Sequence, residues 1–268
     1  MVKVLILGST GMLGSAVGKY FQNNKNFNTI LTFRNKEVSY GKNSIFFDAI
    51  NTPLEDLPQT DYLINCVGVI KPFIEKNNKD SIYINSLFPH KLADFCESKN
   101  TKMMHITTDC VFSGKDGKYT EESLHDCLDS YGKSKSLGEP KNCMTIRTSI
   151  IGEEIHKNAS LIEWAKSMKN KKVNGFTNHL WNGITTKHYS EICEKIILEN
   201  IHSKSLFHVH SNDVTKLEML KLISSRLNLN LNIQPTEAKE VCDRTLRTLK
   251  ELNSVVKTKS IQQQIEEL

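Results

Sequence analysis

The chain has 268 residues, 38% hydrophobic and 24% charged, which is enough to bury a sizeable core as one large or two intertwined domains. Its net charge of +5 comes from interspersed acids and bases, and the modest cluster Lys166, Lys169, Lys171 and Lys172 reads as a solvated helix face, so no nucleic-acid partner is expected. Seven cysteines without a C-x-x-C pair argue against a disulfide framework and a zinc site, and no apolar run suits a signal or a membrane span, so the expected setting is the cytoplasm with no membrane partner.

Val2 to Leu7 is a short apolar, β-rich run followed at once by Gly8-Ser-Thr10-Gly11-Met12-Leu13-Gly14. From there Leu13, Ala16, Val17, Tyr20 and Phe21 recur at helical spacing, so a strand feeds a glycine-rich turn that opens a helix. Gly8 permits the tight turn, Gly11 lets a pyrophosphate approach the backbone, and Gly14 lets helix and strand pack closely. Phosphates would sit on the helix N-terminus, where free N–H groups and the dipole favour negative charge.

Further strands are expected at Thr29 to Phe33, Ser44 to Phe47, Tyr62 to Cys66, Lys102 to Thr107 and Cys143 to Arg147, with helices between them, most clearly Ser81 to Ser98. Such alternation predicts an α/β fold, a Rossmann-type doubly wound parallel sheet covered on both faces. Ligands of such sheets bind at the carboxyl ends of the strands, where the glycine turn, Cys66-Val67-Gly68 and Thr107-Thr108 all fall. After the second strand, where an acid would hold the ribose of NAD, stand Arg34 and Lys36; cations there favour NADP. Asp48, just after the third strand, is placed to receive an adenine amino group or to open a turn.

Tyr131 and Lys135 lie four residues apart on a predicted helix, so a phenol and an ammonium share one face. With Thr108 orienting a substrate oxygen and Lys135 stabilising the tyrosine anion, Tyr131 would protonate a carbonyl oxygen during hydride transfer from a nicotinamide. Past Thr148 the pattern changes to helices over Leu161 to Met168, Thr186 to Asn200 and Lys216 to Leu227, with one strand-like run at Leu206 to His210. This divides the chain into an NAD(P)-binding domain over 1–148 and a smaller, intertwined C-terminal substrate-binding part over 149–268. His208 and His210 would share a strand face, yet no ligand-spaced partner follows, so no metal is expected.

Several motifs together resemble the extended short-chain dehydrogenase/reductases, and within them the dTDP-4-dehydrorhamnose reductase family, over nearly the whole chain. They are GSTGMLG, Asn85-Ser-Leu-Phe-Pro89, HITTDCVFSGKDGKYTEE, YGKSKSLGE and Arg147-Thr-Ser149. The resemblance implies NADPH-dependent reduction of the 4-keto group of a nucleotide-linked 6-deoxy sugar, in surface-polysaccharide precursor synthesis if the source is bacterial. It implies catalytic roles for Thr108, Tyr131 and Lys135, and places Asp109, Cys110, Trp181, Asn182 and Arg244 around the sugar nucleotide. The chain departs from the family at Cys110 and Ile150, where the family carries aromatics, so a reshaped sugar pocket is expected. Related epimerase-reductases carry a proton-moving Cys near Cys110; such a thiol needs a lowered pKa and a partner base, for which His156 is the nearest candidate, and the favoured reading is instead a small buried Cys filling the place of the ring. A bound-cofactor epimerase, and a non-catalytic binding protein like the regulatory subunit of methionine adenosyltransferase, are the alternatives. A homodimer is left open.

Overall fold

The computed structural model describes residues 1–35, 43–74, 78–154 and 160–268; Lys36 and His156 lie outside them. Seven strands form one sheet: β1 (Val2–Leu7), β2 (Phe27–Phe33), β3 (Ser44–Phe46), β4 (Tyr62–Asn65), β5 (Lys102–Thr107), β6 (Met144–Arg147) and β7 (Leu206–His208). Their order is β7-β6-β5-β4-β1-β2-β3 and every pairing is parallel. The order reverses between β1 and β4, which opens a crevice at their carboxyl ends.

Val4 to Leu7 are fully buried because both faces of β1 are covered. Val4 and Ile6 pack with helices Met12–Gln22 and Thr186–Leu198, whereas Leu5 and Leu7 face helix Phe88–Ser98. Helix Thr186–Leu198 and β7 come from beyond Thr148, yet they complete this sheet and one of its cores.

The expected helix from Ser81 to Ser98 is interrupted. A helix over Asn78–Ile82 passes into a π-helical turn at Tyr83–Leu87 before helix Phe88–Ser98 begins with Pro89 in its first turn. The wider turn brings Asn85 inward, fully buried, where its side chain serves the site described below.

The part beyond Thr148 outside the large sheet is built from strands too short for sequence periodicity to reveal. Val214–Thr215, His179–Trp181 and Cys242–Asp243 form a three-stranded sheet, and Lys172–Phe176 pairs with Asn232–Thr236. Helices Leu161–Ser167, Lys216–Arg226 and Ile261–Glu266 close a separate core around Trp181, Met219 and Ile223. No helix among the described residues is long and apolar enough to cross a membrane.

Candidate active site

The glycine turn closes against the strand beside it. Gly8 adopts φ +79°, and a Cβ there would stand 3.1 Å from the Cys66 carbonyl carbon and the Val67 nitrogen. A Cβ on Gly14 would fall 2.1 Å from the Gly8 oxygen. Gly11 differs: its Cβ would meet only the Gly8 oxygen, at 3.5 Å, so the space above it is open. Ser9 and Thr32 brace the turn from below, each donating its hydroxyl to the Ile6 carbonyl while accepting from the Thr32 and Gly8 amides respectively.

Helix Met12–Gln22 starts at Gly11 with no side-chain cap and no acid in its first turn. Thr10, Met12 and Leu13 therefore border an uncapped positive helix end, Leu13 with its side chain turned into the core. At the carboxyl end of β5, the Thr107 hydroxyl is buried without a hydrogen-bond partner among the described residues. An open backbone cradle, an uncapped helix end and an orphaned hydroxyl fit a dinucleotide with its pyrophosphate over Gly11. Arg34 is exposed just after β2.

The helix carrying Tyr131 and Lys135 spans Ser130–Ser136. Asp129 caps it, accepting from the Gly132 amide at 2.8 Å and pairing with Lys71 at 2.9 Å. Two glycines let it lie against its neighbours: a Cβ on Gly132 would stand 2.3 Å from the Cys110 oxygen, and one on Gly138 1.8 Å from the Asn85 oxygen. Tyr131 thereby comes beside Thr108, whose hydroxyl donates to the Asp109 carboxylate (3.1 Å) and accepts from the Cys110 amide (3.1 Å).

Burial first, and Cys110 second, push the Tyr131 phenol above its ordinary pKa, while the Thr108 hydroxyl beside it works in the opposite sense. The sequence reading gave that lowering role to Lys135. In the structure the Lys135 ammonium instead donates to the Ile106 carbonyl at 3.1 Å, and burial pushes it down to about 8 against the pull of Glu139.

Two buried bridges hold the cofactor-side loop to this helix. Asn85 accepts from the Val69 amide (2.8 Å) and donates to the Val69 carbonyl (2.9 Å) and to Ser134 (3.1 Å). Asn65 accepts from the Val67 amide at 3.0 Å, so its NH₂ faces His105 Nδ1, and His105 Nε2–H must donate to the Gly138 carbonyl at 3.0 Å. Burial keeps this histidine neutral by holding its pKa well below the usual value. The backbone of Cys66, Val67 and Gly68 is thus fixed between the two.

Behind the helix, Arg147 is fully buried in a bidentate pair with Glu139, Nε at 3.0 Å and Nη2 at 2.6 Å. It also donates to His208 Nε2 (2.8 Å) and His125 Nε2 (2.7 Å) and stacks on Phe112. His208 Nδ1 faces the carbonyls of Tyr119 and Arg247, so both of its nitrogens are engaged. No group of three His, Cys, Asp or Glu among the described residues is disposed to hold a metal.

Beyond Thr108, Asp109 and Cys110 feel the charges of Lys216 and Arg244, and Lys216 lies over the Trp181 ring. Trp181 is anchored by its indole N–H to the Ser149 hydroxyl at 2.7 Å. The structure bears on three readings here. Asn182 does not offer its amide to a ligand: it donates to Asp213 and the Leu246 carbonyl and accepts from the Leu246 amide, so it holds the segment that carries Arg244. Asp48 opens a turn, accepting from the Ile50 amide and the Asn51 side chain, one bond to each carboxylate oxygen. Cys110 is no activated thiol; burial, reinforced by Asp109, pushes it up to about 12.

Sequence reasoning gave no role to Asn85, His105, Glu139 or Lys216. The Asn85 and Glu139 motifs were in view, but their partners lie on other elements. Lys216 follows Thr215 in the Thr-x-x-Glu pattern that starts its helix, which places its backbone but not its neighbours.

Comparison with known proteins agrees with this architecture. A mouse methionine adenosyltransferase 2 subunit beta is 27% identical over 246 residues, covering 85% of this chain and 72% of its own. A dTDP-4-dehydrorhamnose reductase from Aggregatibacter actinomycetemcomitans is 25% identical over 224 residues, covering 78% and 73%. Among solved structures, the dTDP-4-dehydrorhamnose reductase of Bacillus anthracis in complex with NADP superposes with a TM-score of 0.76 at 18% identity, covering 100% of this chain and 98% of that one. The family model described as the RmlD substrate binding domain runs from residue 2 to residue 267, which takes in both the glycine turn and the far pocket, and to that family this chain belongs.

Proposed function

We propose that this protein is an NADPH-dependent reductase acting on the 4-keto group of a nucleotide-activated 6-deoxy sugar. The observation that carries the reading is Tyr131 set beside Thr108 at the carboxyl edge of β5, with Lys135 one turn further along the same helix. NADPH, when bound, brings a hydride donor; Gly11, the helix end beside it, Thr107, Lys135 and Arg34 are the residues that would hold it.

The rest belongs to the chain's own groups. The Thr108 hydroxyl turns its single proton from the Asp109 carboxylate to the substrate carbonyl oxygen and fixes its direction. Tyr131, kept as a neutral phenol by burial, gives its proton to that oxygen as negative charge develops there. Lys135, charged below about pH 8, stands by to stabilise the phenolate left behind. The high pKa of Cys110 speaks against the epimerase alternative, since no thiolate is available to move a ring proton.

A second reading, a regulatory subunit acting on a methionine adenosyltransferase, is favoured by the mouse relative at 27% identity. Retention of Thr108, Tyr131 and Lys135 together supports the enzyme. Work in the cytoplasm on surface-polysaccharide precursors, and a homodimeric state, belong to the same proposal. Tyr131→Phe tests it: turnover should drop about 10²- to 10⁴-fold, because proton donation is lost, while NADPH affinity stays within a small factor. Strong residual turnover would remove Tyr131 as the acid.

A further inference from the structure

Lys135 is anchored at both of its ends to one stretch of β5. Its ammonium donates to the Ile106 carbonyl at 3.1 Å. Its backbone carbonyl accepts from the Gly138 amide at 3.0 Å, and the Gly138 carbonyl in turn accepts from Nε2–H of His105, the residue before Ile106, at 3.0 Å. A helix as short as Ser130–Ser136 cannot hold such a geometry alone, so the strand behind it sets the position of this lysine.

The other nitrogen of His105 leads to the cofactor side. His105 and Asn65 are register partners in β5 and β4, and both are fully buried. Nδ1 accepts from the Asn65 NH₂ at 3.1 Å, and the Asn65 carbonyl oxygen accepts from the Val67 amide at 3.0 Å. That same amide nitrogen is one of the atoms against which the glycine turn closes, 3.1 Å from where a Cβ on Gly8 would stand. An unbroken line of hydrogen bonds therefore runs from the peptide beside the turn through Asn65, His105 and Gly138 to Lys135. The central position needs an acceptor and a donor on opposite sides of one rigid group, and neutral imidazole supplies both. Other bonds also hold the helix end: His90 to the Leu137 carbonyl and Ser86 to the Ser134 carbonyl, each at 2.8 Å, and Asn85 between Val69 and Ser134. The His105 line alone among these ends on Lys135 itself.

We propose that His105 is a positioning residue for the hydride transfer, setting where Lys135 stands relative to the peptide on which the cofactor turn closes. It acts through Asn65 and Gly138 and not on the reacting atoms. This rests on the reductase reading given above.

Two variants cut the line on opposite sides. His105→Gln puts an NH₂ where Nε2 stands, keeping the Gly138 bond and giving up the acceptor for Asn65. His105→Asn puts a carbonyl oxygen where Nδ1 stands, keeping the Asn65 bond and leaving Gly138 without its donor. Peptide-resolved hydrogen exchange of the full chain with NADPH bound reads the line without any substrate. His105→Asn should speed exchange over residues 131–138 about 10-fold, as loss of one buried hydrogen bond predicts, and leave residues 66–69 at the wild-type rate; His105→Gln should do the reverse. With a keto sugar that the wild type reduces, His105→Asn should lower kcat about 10- to 100-fold, since a displacement of about 1 Å at a catalytic group costs that much. NADPH affinity should hold, and the primary isotope effect from deuterated NADPH should rise as hydride transfer becomes limiting. His105→Gln should keep most of kcat and weaken NADPH instead. A merely structural histidine would make the two variants lose stability and active fraction alike and leave the isotope effect unmoved. That result, wild-type kcat in His105→Asn, or unchanged exchange in both segments overturns the proposal. Should His105→Asn not fold, His105→Gln decides alone: faster exchange over residues 131–138, or kcat lost with NADPH affinity kept, overturns it. If a wild type that binds NADPH reduces no keto sugar, the reductase reading falls, and the line from the turn to Lys135 stands or falls by the exchange pattern.

Discussion

The two sides of the crevice are built in opposite ways. The cofactor side is local: Gly8, Gly11 and Gly14 lie within seven consecutive residues, and their fit is decided by contacts among themselves and with the strand next door. The substrate side is assembled from distant segments between Asp109 and Arg244, brought together by strands of two or three residues. Local chemistry can be read from a sequence, and assembled chemistry cannot. That is why one chain yields its cofactor turn at sight and keeps the partners of Asn85 and Glu139 hidden.

Arg147 sits at the join of the two sides and gives the sharpest way to break the contrast. Arg147→Met should cost about 3–5 kcal/mol, because Glu139 would be left buried without its partner and His125 and His208 would lose their donor. Adding Glu139→Gln should recover part of the loss. Denaturant unfolding measures both, and a single variant as stable as wild type would show that the two sides do not depend on this join.

The glycines sharpen the comparison within the cofactor side. Gly14→Ala forces a Cβ to within 2.1 Å of the Gly8 oxygen and should lower the melting temperature by several degrees, about 1–3 kcal/mol of overpacking. Gly11→Ala meets nothing closer than 3.5 Å, so the fold should hold while NADPH binding weakens about 10-fold or more. Equal effects of the two on stability would contradict the open cradle over Gly11.

The smallest expected effect is in pH. Lys135 is held at about 8, below the ordinary lysine value, so its ammonium is present below that pH and lost above it. Turnover should therefore decline as pH rises through about 8, while stability should not fall there: a lysine whose folded pKa lies below its unfolded one disfavours the fold as pH drops, not as it rises. A turnover profile flat to pH 10 would separate Lys135 from the chemistry.

Of the fold, the parallel strands and the glycine turn were legible because period and turn chemistry are local. The interruption at Tyr83–Leu87 was not, since only the partners of Asn85, Val69 and Ser134, explain why the helix widens there. Of the site, Thr108, Tyr131 and Lys135 were legible from one motif. Asn182 was assigned from approximate position, and neither position nor residue type reveals that its side chain is already satisfied by neighbouring protein groups. Cys110 was ambiguous because a thiol's reactivity is set by burial, which sequence does not give.

The most direct measurement supplies the protein with NADPH carrying deuterium at the transferable position, together with dTDP-, UDP-, GDP- and CDP-linked 4-keto-6-deoxy sugars, and follows the sugar ring by NMR. The account predicts that with one of these nucleotides deuterium appears at C4, that no solvent proton exchanges into the neighbouring ring carbons, and that Tyr131→Phe abolishes the signal. Exchange at a neighbouring carbon, or no labelled sugar from any of the four while NADPH binds tightly, would contradict it.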